Sequence, residues 1–201
     1  MAADGLCGGA WVGMGRRMIL LRHGQSEFNL LFTATRKDPG IPDPKLTPLG
    51  HEQAATAAAV LAGRGLRRII CSPYTRALQT AAPVAQALGL PVFVNPVVRE
   101  RYAFSCDIGT PRMELALAWP DLDFTAIPEI WWPPVEESAE GILGRANLFR
   151  AEMSALPDWS ETLVVCHWGF ILAMTGERLT NGEWRHCDPT LPGPTEIVWR
   201  H

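Results

Sequence analysis

An α/β domain, a three-layer sandwich around a largely parallel central sheet, is the fold this sequence predicts, on three observations. Short apolar runs of strand length recur at residues 18–22, 67–71, 91–94 and 161–166. Longer stretches with helical spacing of apolar residues lie between them. Two of the runs end alike: Met18-Ile19-Leu20-Leu21 delivers Arg22-His23-Gly24, and Leu163-Val164-Val165-Cys166 delivers His167-Trp168-Gly169. A titratable residue and a glycine at the carboxyl end of a buried strand mark the place where open α/β sheets hold ligands.

Composition sets the bounds. The chain has 201 residues, 47% of them hydrophobic, which suffices for one sizeable core, so a single domain is expected over 18–201. A net charge of -3 and a pI near 6.0 provide no broad basic surface, so nucleic acid is not an expected partner. No apolar run approaches the roughly 20 residues that span a bilayer, and no membrane association is expected. Cys7, Cys71, Cys106, Cys166 and Cys187 are widely spaced and odd in number, with two inside apolar runs. They read as buried reduced thiols of a cytoplasmic protein. Residues 1–17 are rich in Gly and Ala, end in two arginines and lack the layout of a secretory signal. They are expected to form a disordered extension or to be a start-site artefact, with Met14 or Met18 as the beginning.

The elements follow in order. The run at 18–22 is a buried strand. Pro39, Pro42 and Pro44 forbid regular structure, so the segment from 30 to 45 is expected to be a surface loop. Thr47 caps a helix with Pro48 at its first position, Leu49, Ala54, Ala57 and Leu61 form its stripe, and Gly63 or Gly65 ends it. His51, in its first turns, reads as a surface or interhelix residue in preference to a catalyst. After the strand at 67–71, Ser72 as cap and Pro73 as first residue start a helix with Arg76 in its opening turn. The helix dipole disfavours a cation there by about 0.3–1 kcal/mol. An anion shared with the helix N-terminus gives the arginine a reason to be there. Pro83 is expected to kink or interrupt this helix before Gly89 ends it.

A third strand at 91–94 leads into an extended segment at 97–101, where alternation turns Glu100 towards a pocket and leaves Arg99 and Arg101 facing water. Residues 102–137 are broken by Pro111, Pro120, Pro128, Pro133 and Pro134, with one helical piece at 112–119. They are expected to form an irregular cap over the site. Trp131 and Trp132 read as buried aromatics in preference to a lid. Ser138 starts a helix to about Leu156, a further helix covers 171–178, and a last strand is expected at 195–199. Trp184 and Trp199 are interface candidates if exposed.

The ordered set Leu21-Arg22-His23-Gly24-Gln25-Ser26 with Asn29, Leu46-Thr47 with Gly50 and Gln53-Ala54, Ser72-Pro73 with Arg76-Ala77 and Gln79-Thr80, Arg99-Glu100-Arg101, and His167 with Gly169 covers nearly all of 18–199. On these motifs the chain resembles the histidine phosphatase superfamily, also called the phosphoglycerate mutase-like family. The resemblance implies that His23 is the phosphoryl-accepting nucleophile and Glu100 the proton donor. It also implies that Arg22, Arg76 and His167 hold the phosphate, helped by Asn29. Apart from the resemblance, the Trp168-Gly169 turn reads as a further phosphate contact, because Gly169 allows close backbone approach and helix-start amides face outward there. Trp168 is a departure, because two small residues usually follow the second histidine in that family, and it implies a different pocket shape beside the phosphate.

The residue types suit that chemistry. Phosphoryl transfer spreads charge over three equatorial oxygens, so positioned guanidinium and imidazole donors serve it without a metal or other cofactor. Neighbouring cations favour the neutral His23 imidazole that attack demands. Its other ring N–H is expected to bond a backbone carbonyl. Gly24 is expected to bend the chain so that Arg22 and His23, adjacent and otherwise on opposite faces, reach one site. The reading is a metal-independent phosphomonoesterase acting on a small phosphorylated substrate. The alternatives are a phosphoglycerate mutase-type phosphotransferase and a non-catalytic module that binds phosphorylated ligands.

Overall fold

The computed structural model describes residues 17–199, so the expected N-terminal extension lies, Arg17 apart, outside the described residues. The strands are β1 (Met18–Arg22), β2 (Arg68–Cys71), β3 (Val92–Val94), β4 (Thr162–Cys166) and β5 (Trp184–Cys187). They make one sheet in the order β3-β2-β4-β1-β5, with β5 antiparallel to β1 and the other pairs parallel. The helices are α1 (Glu27–Thr35), α2 (Pro48–Leu61), α3 (Thr75–Leu88), α4 (Arg112–Ala118), α5 (Ala139–Ser154) and α6 (Trp168–Thr175).

Period-two alternation in the strands builds the three layers. Ile19, Leu21, Ile69, Cys71, Leu163 and Val165 point to one face, where Ala57 and Leu61 of α2 and Ala77, Leu78 and Ala81 of α3 cover them. Met18, Leu20, Val164 and Cys166 point to the other, against Ile142, Ala146 and Phe149 of α5 and Phe170 and Ile171 of α6. Every residue of β4 is buried, as a central parallel strand covered on both faces must be.

Several expectations need correction. The loop expected from residue 30 contains the body of α1, because Ser26 and Asn29 cap each other reciprocally and the prolines come only after Thr35. Ser72 does not cap α3. Tyr74 occupies that position, and the Asp43 carboxylate, from far away in sequence, takes the Thr75 N–H at 2.9 Å and its hydroxyl at 2.7 Å. Helix α3 runs unbroken through Pro83, since buried Leu78, Ala81 and Val84 hold it to the sheet on both sides, and Gly89 at φ 63° ends it.

The segment expected to extend from residue 97 begins instead with a 3-10 turn, Pro96–Val98, capped by Asn95. Arg99 and Arg101 do not face water, since their N–H groups reach the Glu137 carboxylate at 3.3 Å and the Glu137 carbonyl at 2.8 Å respectively. The last helix starts at Trp168, earlier than expected. No strand forms at 195–199. The free edge of β1 is taken by β5, while Ile197 and Trp199 pack against the α5–α6 layer. Trp184 and Trp199 are half-buried within the chain, Trp184 beneath the Arg64 guanidinium and Trp199 against Trp168, so neither stands out as an exposed interface residue. Trp131 is buried against Tyr74, as its structural reading has it.

Candidate active site

Strand β4 lies between β1 and β2, with Cys166 opposite Arg22 and Val165 opposite Cys71. The residues that leave these three strands therefore emerge side by side. The His23 N–H bonds the Cys166 carbonyl at 3.1 Å, and the Ser72 N–H bonds that of Val165 at 3.1 Å. Gly24 makes the bend that the adjacent Arg22 and His23 require. Its N–H reaches Thr80 Oγ1 at 3.0 Å, and a Cβ there would sit 2.3 Å from the Gly50 carbonyl oxygen. No side chain fits that approach. Arg22, His23, Arg76 and Glu100 all line one cavity of about 290 Å³.

The His23 ring is buried, and its Nδ1 bonds the Gly24 carbonyl at 2.7 Å. A carbonyl only accepts, so Nδ1 carries the proton and Nε2 keeps its lone pair. Burial, then Arg76 and Arg22, hold this imidazole well below its usual pKa, so the neutral form prevails. His167 lies behind it, ring centroids 5.0 Å apart, wholly buried and outside the cavity wall. Its Nε2 bonds Ser72 Oγ at 2.8 Å, its ring meets Tyr74 edge-on, and its Nδ1 has no partner. Burial and Arg76 also keep His167 neutral.

The two cations are held differently. Arg22 gives one N–H to the Leu179 carbonyl at 2.7 Å, and burial brings its pKa down to about 10, still a cation at neutral pH. Arg76 gives its N–H groups to the Cys106 carbonyl at 2.7 Å and the Asp107 carboxylate at 3.2 Å. Burial opposes its charge, but Cys106 and Asp107 outweigh burial and raise its pKa.

Glu100 accepts from the amides of Arg101 at 2.8 Å and Gly169 at 2.9 Å. Burial first, and Asp107 second, push its pKa up, against those amides and Arg76. Gly169 is placed otherwise than the sequence reading has it: its N–H is given to Glu100, not to the phosphate pocket. A Cβ on Gly169 would lie 2.4 Å from Glu100 Oε1, which is why glycine stands there. Trp168 and Asn29 both line the cavity, and Asn29 Oδ1 accepts from the Ser26 amide and from Asn181 Nδ2.

The sequence reading missed Asp107, Asp43 and Asn181, whose roles come from contacts distant in sequence. Among the described residues, no three His, Cys, Asp or Glu side chains gather as a metal site.

Comparisons with known proteins show the family. The family model of the histidine phosphatase superfamily (branch 1) matches residues 18–198. A glucosyl-3-phosphoglycerate phosphatase of Mycolicibacterium vanbaalenii is 32% identical over 172 residues, covering 82% of this chain and 74% of that protein. One of Mycobacterium tuberculosis is 30% identical over 200 residues, covering 92% and 83%. A solved mycobacterial glucosyl-3-phosphoglycerate phosphatase complexed with VO3 superposes with a TM-score of 0.60 at 26% identity, covering 86% of this chain and 90% of that one. A 2,3-bisphosphoglycerate-dependent phosphoglycerate mutase of Bartonella quintana is 43% identical, but over 97 residues, 44% of this chain and 43% of that protein. With its family model matched from the first strand to the C-terminal segment, the chain belongs to the histidine phosphatase superfamily, branch 1.

Proposed function

We propose that this enzyme is a phosphatase that hydrolyses small phosphomonoesters through a phosphohistidine on His23. The observation that carries the reading is the His23 ring, tethered through Nδ1 to the Gly24 carbonyl so that a neutral Nε2 shares a cavity with two guanidinium groups and a buried carboxyl group. Nε2 attacks phosphorus as the ester P–O bond breaks, and the Glu100 carboxyl proton goes to the leaving oxygen. Arg22 and Arg76 stabilise the equatorial oxygens. His167, buried behind the His23 ring, adds a donor to the phosphate from Nδ1 when Ser72 Oγ donates to its Nε2 and the ring proton sits on Nδ1. Asn29 assists at the cavity wall. Water then attacks the phosphohistidine, its proton passes to the Glu100 carboxylate, the N–P bond breaks, and inorganic phosphate leaves. Burial favours the protonated Glu100 that the first step needs.

Residues 102–137 serve as the cap, with Phe104 and Asp107 on the cavity wall. The four described cysteines are free and buried, which supports a cytoplasmic setting, and no helix among the described residues is long and apolar enough to cross a membrane. The mutase reading is weaker, because the phosphatase matches span most of both chains. A non-catalytic module would not need a nucleophile, an acid and two cations in one cavity. Purified enzyme assayed on p-nitrophenyl phosphate between pH 5 and 8 should release phosphate, and should not isomerise 3-phosphoglycerate. Isomerisation without release would favour the mutase, and neither activity would favour the binding module.

A further inference from the structure

Away from the phosphate-binding groups, the cavity wall is aromatic. Phe28 and Phe32 of α1 stack nearly parallel, centroids 5.2 Å apart, and Phe104 meets them at 5.7 and 5.2 Å. Trp168, at the start of α6, lies with Trp199 at a centroid separation of 5.9 Å. All five rings line the cavity that holds His23. Trp168 is the residue that departs from the family pattern, and the hydrolytic steps proposed above use no atom of its side chain.

Most polar groups around these rings are already committed, exposed Thr33 and Arg36 apart. Arg101 lies over Trp199 at 4.7 Å and gives its N–H groups to the Glu137 carbonyl and the Glu136 carboxylate. Asn181 Nδ2 is shared between the His23 carbonyl and Asn29. Arg36 also lines the cavity but is itself exposed. A leaving group rich in hydroxyls would give up water here for few open partners, which costs free energy. A flat apolar group gains by covering ring faces.

We infer that this aromatic wall is a leaving-group subsite for flat apolar alcohols, with Phe32, Phe104 and Trp168 as its specificity-determining residues. The inference rests on the phosphatase reading and deepens it: the favoured substrates are phosphomonoesters of aromatic or otherwise flat, apolar alcohols.

The test uses three phosphate esters of primary alcohols, so that leaving-group basicity does not decide the outcome: 2-phenylethyl phosphate, glucose 6-phosphate and 3-phosphoglycerate. On wild-type enzyme, kcat/KM for the phenylethyl ester should exceed each of the others by about tenfold or more, within the range one apolar pocket contact provides. Phe32→Ser and Trp168→Ser should each collapse that ratio, and Phe32→Leu, which keeps bulk but not the flat face, should fall between. Equal or better turnover of glucose 6-phosphate overturns the inference while leaving phosphatase activity intact. So does preference for 3-phosphoglycerate, which would give the subsite to Arg36 and a carboxylate. Hydrolysis of none of the three esters, nor of p-nitrophenyl phosphate, overturns the phosphatase reading and the inference together.

Discussion

The Asp107 carboxylate meets the Arg76 guanidinium at 3.2 Å with both side chains almost wholly buried. Its other oxygen accepts the amides of Ala103 and Phe104 at 3.0 and 3.1 Å. The cation in the opening turn of α3 therefore has a resident carboxylate partner as well as the anion that the sequence suggests. One contact fixes both the guanidinium and the first turn of the cap. Asp107→Asn leaves a buried arginine without its counter-ion. The expected loss is about 3–5 kcal/mol of stability, measured by urea denaturation, with kcat/KM falling about tenfold or more. A variant of wild-type stability and rate would show that Arg76 is held by other contacts.

Gly169→Ala isolates Glu100. The added methyl group would press on Glu100 Oε1, while alanine is a better helix former than glycine. The expected result is a fall in kcat of about 10²-fold, the low end for loss of a general acid, with unfolding free energy changed by no more than about 1 kcal/mol. Steady-state kinetics and a denaturant titration on the same preparation check both halves.

Asp43 caps α3 from a distance and also accepts the Thr110 hydroxyl at 2.6 Å, tying the helix start to the cap segment. Asp43→Ala should cost about 1–2 kcal/mol, the usual worth of a cap. It should also raise KM, since Arg76 follows Thr75 directly. A variant with an unchanged thermal midpoint would contradict this.

Acid should destabilise the fold through its histidines. His23 and His167 are held neutral well below their usual range, chiefly by burial and then by Arg76. The unfolded chain takes up protons on both near pH 6.5 while the native state does not. Stability therefore falls as pH drops below about 6.5, by about 1.4 kcal/mol per pH unit for each histidine. Glu100 and Asp107 have raised pKa values and act in the opposite sense, so they offset part of this slope as pH nears the carboxylate range. Urea midpoints measured between pH 7 and 5 should decline, and a flat profile would contradict the buried neutral histidines.

The strands whose carboxyl ends meet at the candidate site were legible because the apolar residues of β1, β2 and β4 are buried on both faces and read as short apolar runs. The site was legible where a residue follows such a strand directly, as His23 and His167 do. Strand β5 was hidden because Trp184-Arg185-His186-Cys187 sits at an edge, only Cys187 is buried, and it shows no apolar run. Asp107 and Asp43 were hidden for another reason: each acts on Arg76 or Thr75 from a distant, irregular segment, and no local periodicity encodes that contact. Glu100 was found from strand alternation although the segment is not a strand, so the right direction came from incomplete geometry.

The most direct measurement is the covalent intermediate. Enzyme mixed with a ³²P-labelled phosphomonoester and quenched within a turnover should carry label that survives alkali but not acid, as a phosphoramidate does, mapping to the peptide that contains His23. In His23→Ala both label and turnover should vanish. Unlabelled wild-type enzyme during steady hydrolysis, label on another residue, or hydrolysis that persists in His23→Ala would contradict the account.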